Sequence, residues 1–344
     1  MSDDALLKET LDAMLSFAAD PREKSSSDGN LGDIAWQRLE CGGLLHVFAP
    51  EQLGGGGGSH ADGVAVLRAI GAAGLSVPIL ENQLAGMALV AAGQAVPNVP
   101  AAAVVDGLRL RSAAGHWRLS GRATRVGRAE RTQSLTVVDA GLVAVVDAEA
   151  GRWTSGHNIA SELRQTWAVD LILEDCAVWD CPSETAVWLR EWATLGRAAL
   201  IVGAAEMALS STVAHVSSRI QFGRALSGFQ TVQHSVAGMA ALLTAAVSAV
   251  QSAASIFPDS PATSAGLSIA VSSAKYQSNL MAVKVARVAH QLHGAMGFTL
   301  EHPLVRATRR LWAWASEDGS QRACSLRLAQ LAGDDPWHAI TADL

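Results

Sequence analysis

Arginine, glutamine, histidine and aromatic residues crowd one stretch, Arg219-Ile220-Gln221-Phe222-Gly223-Arg224-Ala225-Leu226-Ser227-Gly228-Phe229-Gln230-Thr231-Val232-Gln233-His234. Part of it is helix punctuation. Gly223 marks a turn, Ser227 and Gln230 have the S-x-x-Q spacing of a capping box, and Phe229, Val232, Val236, Met239 and Leu243 fall on one apolar face. Capping leaves Arg219 and Phe222 unexplained, because they sit where one helix stops and a loop begins. A second stretch, Val288-Ala-His-Gln-Leu-His-Gly-Ala-Met-Gly-Phe-Thr-Leu-Glu-His-Pro303, stops a helix at Gly294, where glycine can take the left-handed conformation. Its histidines His290, His293 and His302 are not at metal spacing on one face, so no metal is expected. In Glu317-Asp318-Gly319-Ser320 the plain reading of Asp318 is a solvated helix-end carboxylate, and Glu317, one place earlier, would point elsewhere on a helix. Arg122, Arg125, Arg128 and Arg131 likewise read as a solvated face. Gly54 to Gly58 is a flexible turn with no Lys-Ser/Thr pair after it, which excludes a phosphate-binding P-loop.

These residues need elements to hold them. A chain of 344 residues is long for one core, and 49% hydrophobic content with 5% aromatics favours closely packed helices. A net charge of −6 without a basic run argues against nucleic acid. Cys41, Cys176, Cys181 and Cys324 form no C-x-x-C pair, so buried free thiols are expected rather than zinc or disulfides. The acidic start lacks the order of a secretion signal, and apolar runs such as Ala198 to Val202 are far shorter than a bilayer span, so a cytoplasmic chain without a membrane span is expected.

Three parts follow: helices in 1–93, short β-prone runs in 94–183 suggesting a small antiparallel barrel, and four or five helices in 184–344. The helical runs expected are 4–20, 61–73 and 75–92, then 195–218, 228–255, 264–293 and 303–331, with Trp179 to Trp192 also helical in composition. The class is α+β, with a C-terminal four-helix bundle as the closure.

The order R-x-Q-F-G then F-Q-x-V-Q-H, and later Q-x-H-G-x-x-G-F-T-x-E-H-P, resembles the acyl-CoA dehydrogenase family. The early W…G-G-L…P-E-x-x-G-G order agrees. The resemblance implies FAD as cofactor and α,β-dehydrogenation of an acyl-CoA thioester, with an electron-transfer flavoprotein or similar acceptor. It implies that Arg219 and Gln230 contact the FAD pyrophosphate and adenosine side across a subunit boundary, with Phe222 packing beside the cofactor. Gln291, His293, Gly294 and Ala295 are implied at the pyrophosphate, Ala295 standing where a second glycine is usual.

The sequence departs from the family pattern elsewhere. The loop with Glu-Pro and Gly-Ser pairs that holds the flavin ring is missing before Trp117-Arg-Leu-Ser-Gly121, and the arginines from Arg122 replace an aromatic surface. The implied base positions are Asp318, one methylene shorter than the usual Glu, and Ala193, which has no carboxylate. The expectation is therefore one subunit of a hetero-oligomeric enzyme, acting on a bulky substrate such as a steroid side-chain CoA thioester. The chain would lend its half-site to FAD held by a second dehydrogenase-like subunit. A self-sufficient homodimer using Asp318, and a scaffolding subunit without cofactor, are the rival expectations.

Overall fold

The computed structural model describes residues 3–19, 28–113, 115–127, 132–174, 177–299 and 302–333. Four helices come first: α1 (Asp3–Leu15), α2 (Asp28–Cys41), α3 (His60–Ala72) and α4 (Ile79–Ala91). The polar linker expected over 21–30 is described only from Asp28, where α2 begins. Ser59 caps α3 in a full capping box with Asp62, and Pro78 stands at the start of α4.

Eight strands follow: β1 (Ala101–Val104), β2 (Leu108–Ala113), β3 (His116–Gly127), β4 (Ser134–Asp139), β5 (Leu142–Asp147), β6 (Arg152–Thr154), β7 (Arg164–Leu173) and β8 (Val178–Asp180). They form two four-stranded sheets, ordered β1-β4-β5-β8 and β2-β3-β7-β6. Leu119, Leu135, Val137 and Trp167 fill their shared core. Every pairing in them is antiparallel except β1 with β4, which are parallel from Ala101 opposite Ser134 to Val104 opposite Val137. Connectivity explains the exception. The chain leaves β1 to build β2 and β3 in the other sheet, and that long crossover lets it return in the same direction. Asn82 ties the early helices to this unit: its side-chain oxygen accepts from the Ala101 N–H at 3.1 Å, and its amide donates to His46 at 2.8 Å. Burial pushes the His46 imidazole down to about 4, so it stays neutral as the acceptor.

The C-terminal helices are α5 (Thr185–Ser218), α6 (Gln230–Ser255), α7 (Ala265–His293), α8 (Pro303–Trp314) and α9 (Gln321–Ala332). Between α5 and α6 lies a small hairpin, β9 (Ile220–Gln221) and β10 (Arg224–Ala225). α5 starts after Pro182 and β8, so the helical composition from Trp179 onward becomes helix only at Thr185. The single helix expected over 303–331 is two. Asp318 at φ 50° and Gly319 at φ 114° break it, and Ser320 caps α9 by accepting from the Ala323 N–H.

The core depends on small residues where α3 crosses α5. A Cβ on Gly203 would fall 2.0 Å from the Arg68 carbonyl oxygen, and one on Gly71 would fall 2.3 Å from that of Leu200. Only glycine permits this approach, and Arg68 then reaches along the same interface to pair with Glu206. By length and composition α5 and α6 could each cross a membrane, contrary to the short apolar runs read from the sequence. In α5 that apolarity has another cause: Leu195, Ala198, Ala199, Ile201 and Ala205 are wholly buried against its neighbours. The cysteines also differ from expectation. Cys324 is buried, but Cys181 is half-buried and Cys41 exposed, while Cys176 lies outside the described residues.

Candidate functional site

The helices α5, α6 and α7 alternate in direction, which brings the end of α5, the start of α6 and the end of α7 to one end of the bundle. Every cofactor position implied by the sequence lies on these three termini or the turns beside them. Arg219 ends α5, its N–H bonded to the His215 carbonyl. The β9–β10 hairpin turns through Phe222 at φ 53° and Gly223 at φ 78°, the two positive values that a tight two-residue hairpin needs. A phenylalanine there is strained, and Phe222 is also 90% exposed, touching Phe229 edge-on at 6.2 Å. Arg224 covers that Phe229 ring at 4.1 Å.

The capping box expected from Ser227 and Gln230 does not form. Phe229 occupies the cap position of α6 without a side-chain bond, Gln230 is the first helical residue, and it is Gln233 that reaches back to the Ser227 carbonyl at 2.9 Å. The start of α6 is therefore an uncapped helix N-terminus, which attracts anions. Arg219, Gln230 and Gln291 are all exposed, and none of their side chains has a hydrogen-bond partner among the described residues. Gly294 takes φ 62° and ψ −146°, a conformation open essentially to glycine alone, and a Cβ there would meet nothing within 4 Å. Ala295 beside it is exposed too.

His293 is the exception, because its side chain is buried. Its Nδ1 donates to the Ala289 carbonyl at 2.8 Å, and its ring stacks on His215 at 4.4 Å and meets His302 at 5.0 Å. It joins the end of α5 to the Gly294 turn and leaves only its backbone for a ligand. Burial, then the neighbouring His293, His302 and Arg219, push the His215 imidazole below its ordinary value. His290 is held between Phe298 at 4.2 Å and Trp312 at 5.4 Å, and among the described residues no His, Cys, Asp or Glu cluster could hold a metal.

The other candidate residues meet in a cleft of about 420 Å³ between α4, the sheets, α5 and the α8–α9 turn. Ala193 and Asp318, the two implied base positions, both line it. Asp318 is not a free solvated carboxylate. Arg197 of α5 donates to it at 2.8 Å and also pairs with Glu81 at 3.2 Å and Glu317 at 3.7 Å. Glu317, buried rather than aimed away, accepts from Arg164 at 2.9 and 3.1 Å and from Asn158 at 3.0 Å. The chain of charges continues through Glu162, which accepts from Arg310 at 2.9 Å and from the Trp314 indole at 2.8 Å. Burial alone would raise the Glu162 carboxyl, but Arg310 and Arg164 outweigh it and hold it at about 2. Below the turn, wholly buried Lys275 donates to Asn279 at 2.7 Å and to the Trp314 carbonyl at 2.9 Å. Burial pushes that amine down to about 7, against the opposing pull of Asp318. Arg122 and Arg125 line the mouth, so they are not merely a solvated face, while Arg128 and Arg131 lie outside the described residues.

Residues 188–323 match the family model described as acyl-CoA dehydrogenase, C-terminal domain. Acyl-CoA dehydrogenase IpdE2 of Mycobacterium tuberculosis is 28% identical, covering 96% of this chain and 98% of its own. The chain resembles the acyl-CoA dehydrogenases over nearly its whole length. Solved relatives share its fold: the ChsE4-ChsE5 complex of Mycobacterium tuberculosis, with a TM-score of 0.81, 23% identity and coverage of 95% of each chain, and a Tcur3481-Tcur3483 steroid acyl-CoA dehydrogenase variant, with 0.84, 22% and coverage of 96% and 97%. Acyl-CoA dehydrogenases are FAD-dependent oxidoreductases, and the two candidate regions fit FAD unequally. Unpartnered Arg219, the bare N-terminus of α6 and the open Gly294 turn suit a pyrophosphate. The cleft suits a flavin ring poorly, because its floor is cross-linked by ion pairs.

Proposed function

We propose that this chain is one subunit of a hetero-oligomeric, FAD-dependent acyl-CoA dehydrogenase, and that it lends half of a cofactor site to a dehydrogenase-like partner. One observation carries the reading. The polar groups suited to a nucleotide tail stand exposed and unpartnered at one end of the bundle, whereas both base positions in this chain's own cleft are disabled, Ala193 by its type and Asp318 by Arg197. When bound, FAD supplies the hydride acceptor for α,β-dehydrogenation of the acyl thioester. Arg219 and Gln230 would hold the pyrophosphate and adenosine side, and Gln291 with the Gly294–Ala295 backbone would contact the pyrophosphate. Exposed Phe222, Ile220, Met296 and Phe298 form the apolar rim that the partner covers. The ring pocket and the base come from that partner, and an electron-transfer flavoprotein or similar acceptor takes the electrons. A bulky steroid side-chain CoA thioester is the favoured substrate, supported by the steroid enzyme among the structural neighbours.

Asp318→Asn separates this reading from a self-sufficient enzyme. Asparagine is the same size and tolerates the left-handed backbone at this position. Turnover of the co-purified complex is expected to stay within about twofold. A fall of about a hundredfold or more, the usual scale for losing a general base, would make Asp318 the base and reject the proposal.

A further inference from the structure

The mouth of the cleft carries charge that the dehydrogenase reading does not use. Arg122 and Arg125 are three residues apart on β3, a spacing that sends side chains to opposite faces of a regular strand. β3 is not regular there: its register against β7 shifts between Ala123 and Val126, and Arg125 adopts φ 63°. This bulge brings both arginines to the lining of one cleft, at the cost of a strained non-glycine residue. Both are exposed, and neither has an ion-pair or hydrogen-bond partner among the described residues. The other arginines lining the cleft are satisfied: Arg190 by Asp106 at 2.7 Å, Arg164 by Glu317 at 2.9 Å and Arg197 by Asp318 at 2.8 Å. Two unpaired positive groups therefore lie beside a concavity whose part-buried apolar lining includes Leu84, Val105 and Ala193. Its volume, about 420 Å³, is within the range of small-molecule sites.

We infer that this cleft is a binding site for an organic carboxylate, its head held by Arg122 and Arg125 and its apolar body laid against Leu84, Val105 and Ala193. Guanidinium donors match the two oxygens of a carboxylate, and the apolar lining rewards a body that bare phosphate lacks. The ligand is a free acid rather than a flavin or a thioester, and the site acts within this one chain. It does not depend on the lent FAD half-site, so either proposal can fail without the other.

Calorimetric titration of the full chain, purified alone, with octanoate, 1-octanol and inorganic phosphate tests it. Octanoate is expected to bind saturably, with the alcohol and phosphate each at least tenfold weaker. The double variant Arg122→Gln/Arg125→Gln is expected to weaken octanoate at least tenfold with an unchanged melting temperature, since neither side chain supports another group. Absence of octanoate binding, equal affinity for the alcohol, equal affinity for phosphate, or an unaffected double variant would each overturn the inference. The three ligands are compared on the unaltered chain, so the result stands even where the variant is unstable.

Discussion

Glu317→Gln is expected to lower the stability of the chain by about 3–5 kcal/mol, the cost of leaving buried charge uncompensated. Glu317 accepts two hydrogen bonds from Arg164 and lies 3.7 Å from Arg197, and both arginine side chains are over nine-tenths buried. Glutamine keeps the volume and loses the charge. The Arg164 fork would then face an amide that offers one acceptor instead of two. The damage extends beyond one pair, because the same network joins Glu81 of α4, Arg164 of β7, Arg197 of α5 and, through Glu162, Arg310 of α8. Asp318, with 33% of its side chain exposed, can be rehydrated, so Asp318→Asn should cost much less. Urea unfolding followed by tryptophan fluorescence checks the pair. Equal and small shifts for both variants would show that the network does not hold the cleft together.

Arg219→Ala is expected to reduce FAD retention by the assembled complex at least tenfold, while leaving the isolated chain's melting temperature unchanged. The two halves of that expectation have one cause: the Arg219 side chain is exposed and unpartnered in this chain, so its removal costs the fold nothing. Charge-assisted hydrogen bonds are worth roughly 1.5–3 kcal/mol, and about 1.4 kcal/mol is a factor of ten. Arg219→Lys should recover only part of the loss, because a lysine cannot present a planar fork to phosphate oxygens. Equilibrium dialysis of flavin against the complex measures both. Unchanged retention in Arg219→Ala would favour a scaffolding subunit that kept the fold for its interface.

Much of this was legible in the sequence where local rules operate. The long helices α6 and α7 lie within two residues of their expected bounds, since an apolar period specifies them and the prolines Pro258 and Pro261 and the turn at Gly294 end them. The break at Asp318 and Gly319 was not, because the helical pattern runs across it and the turn is held by partners far away in sequence: Arg197 on Asp318, and Asn279 on the Gly319 carbonyl. For the same reason nothing local marks Glu317 as buried, although it accepts from Arg164 and Asn158, over 150 residues earlier. The burial of His293 between His215 and His302 has no spacing signal at all. Its one trace is histidine enrichment on two helices that end together. The Ser227–Gln230 capping box failed through competition: the hairpin carries Phe229 into the cap position, and Gln230 is left facing solvent.

Flavin stoichiometry tests the division of labour most directly. The chain is to be purified alone and again with its dehydrogenase-like partner, and bound FAD measured by absorbance against the amount of each polypeptide. A colourless, inactive chain is expected in isolation, and about one FAD per pair of different chains in the complex. A yellow preparation of this chain alone, carrying one FAD per copy and oxidising an acyl-CoA thioester, would contradict it.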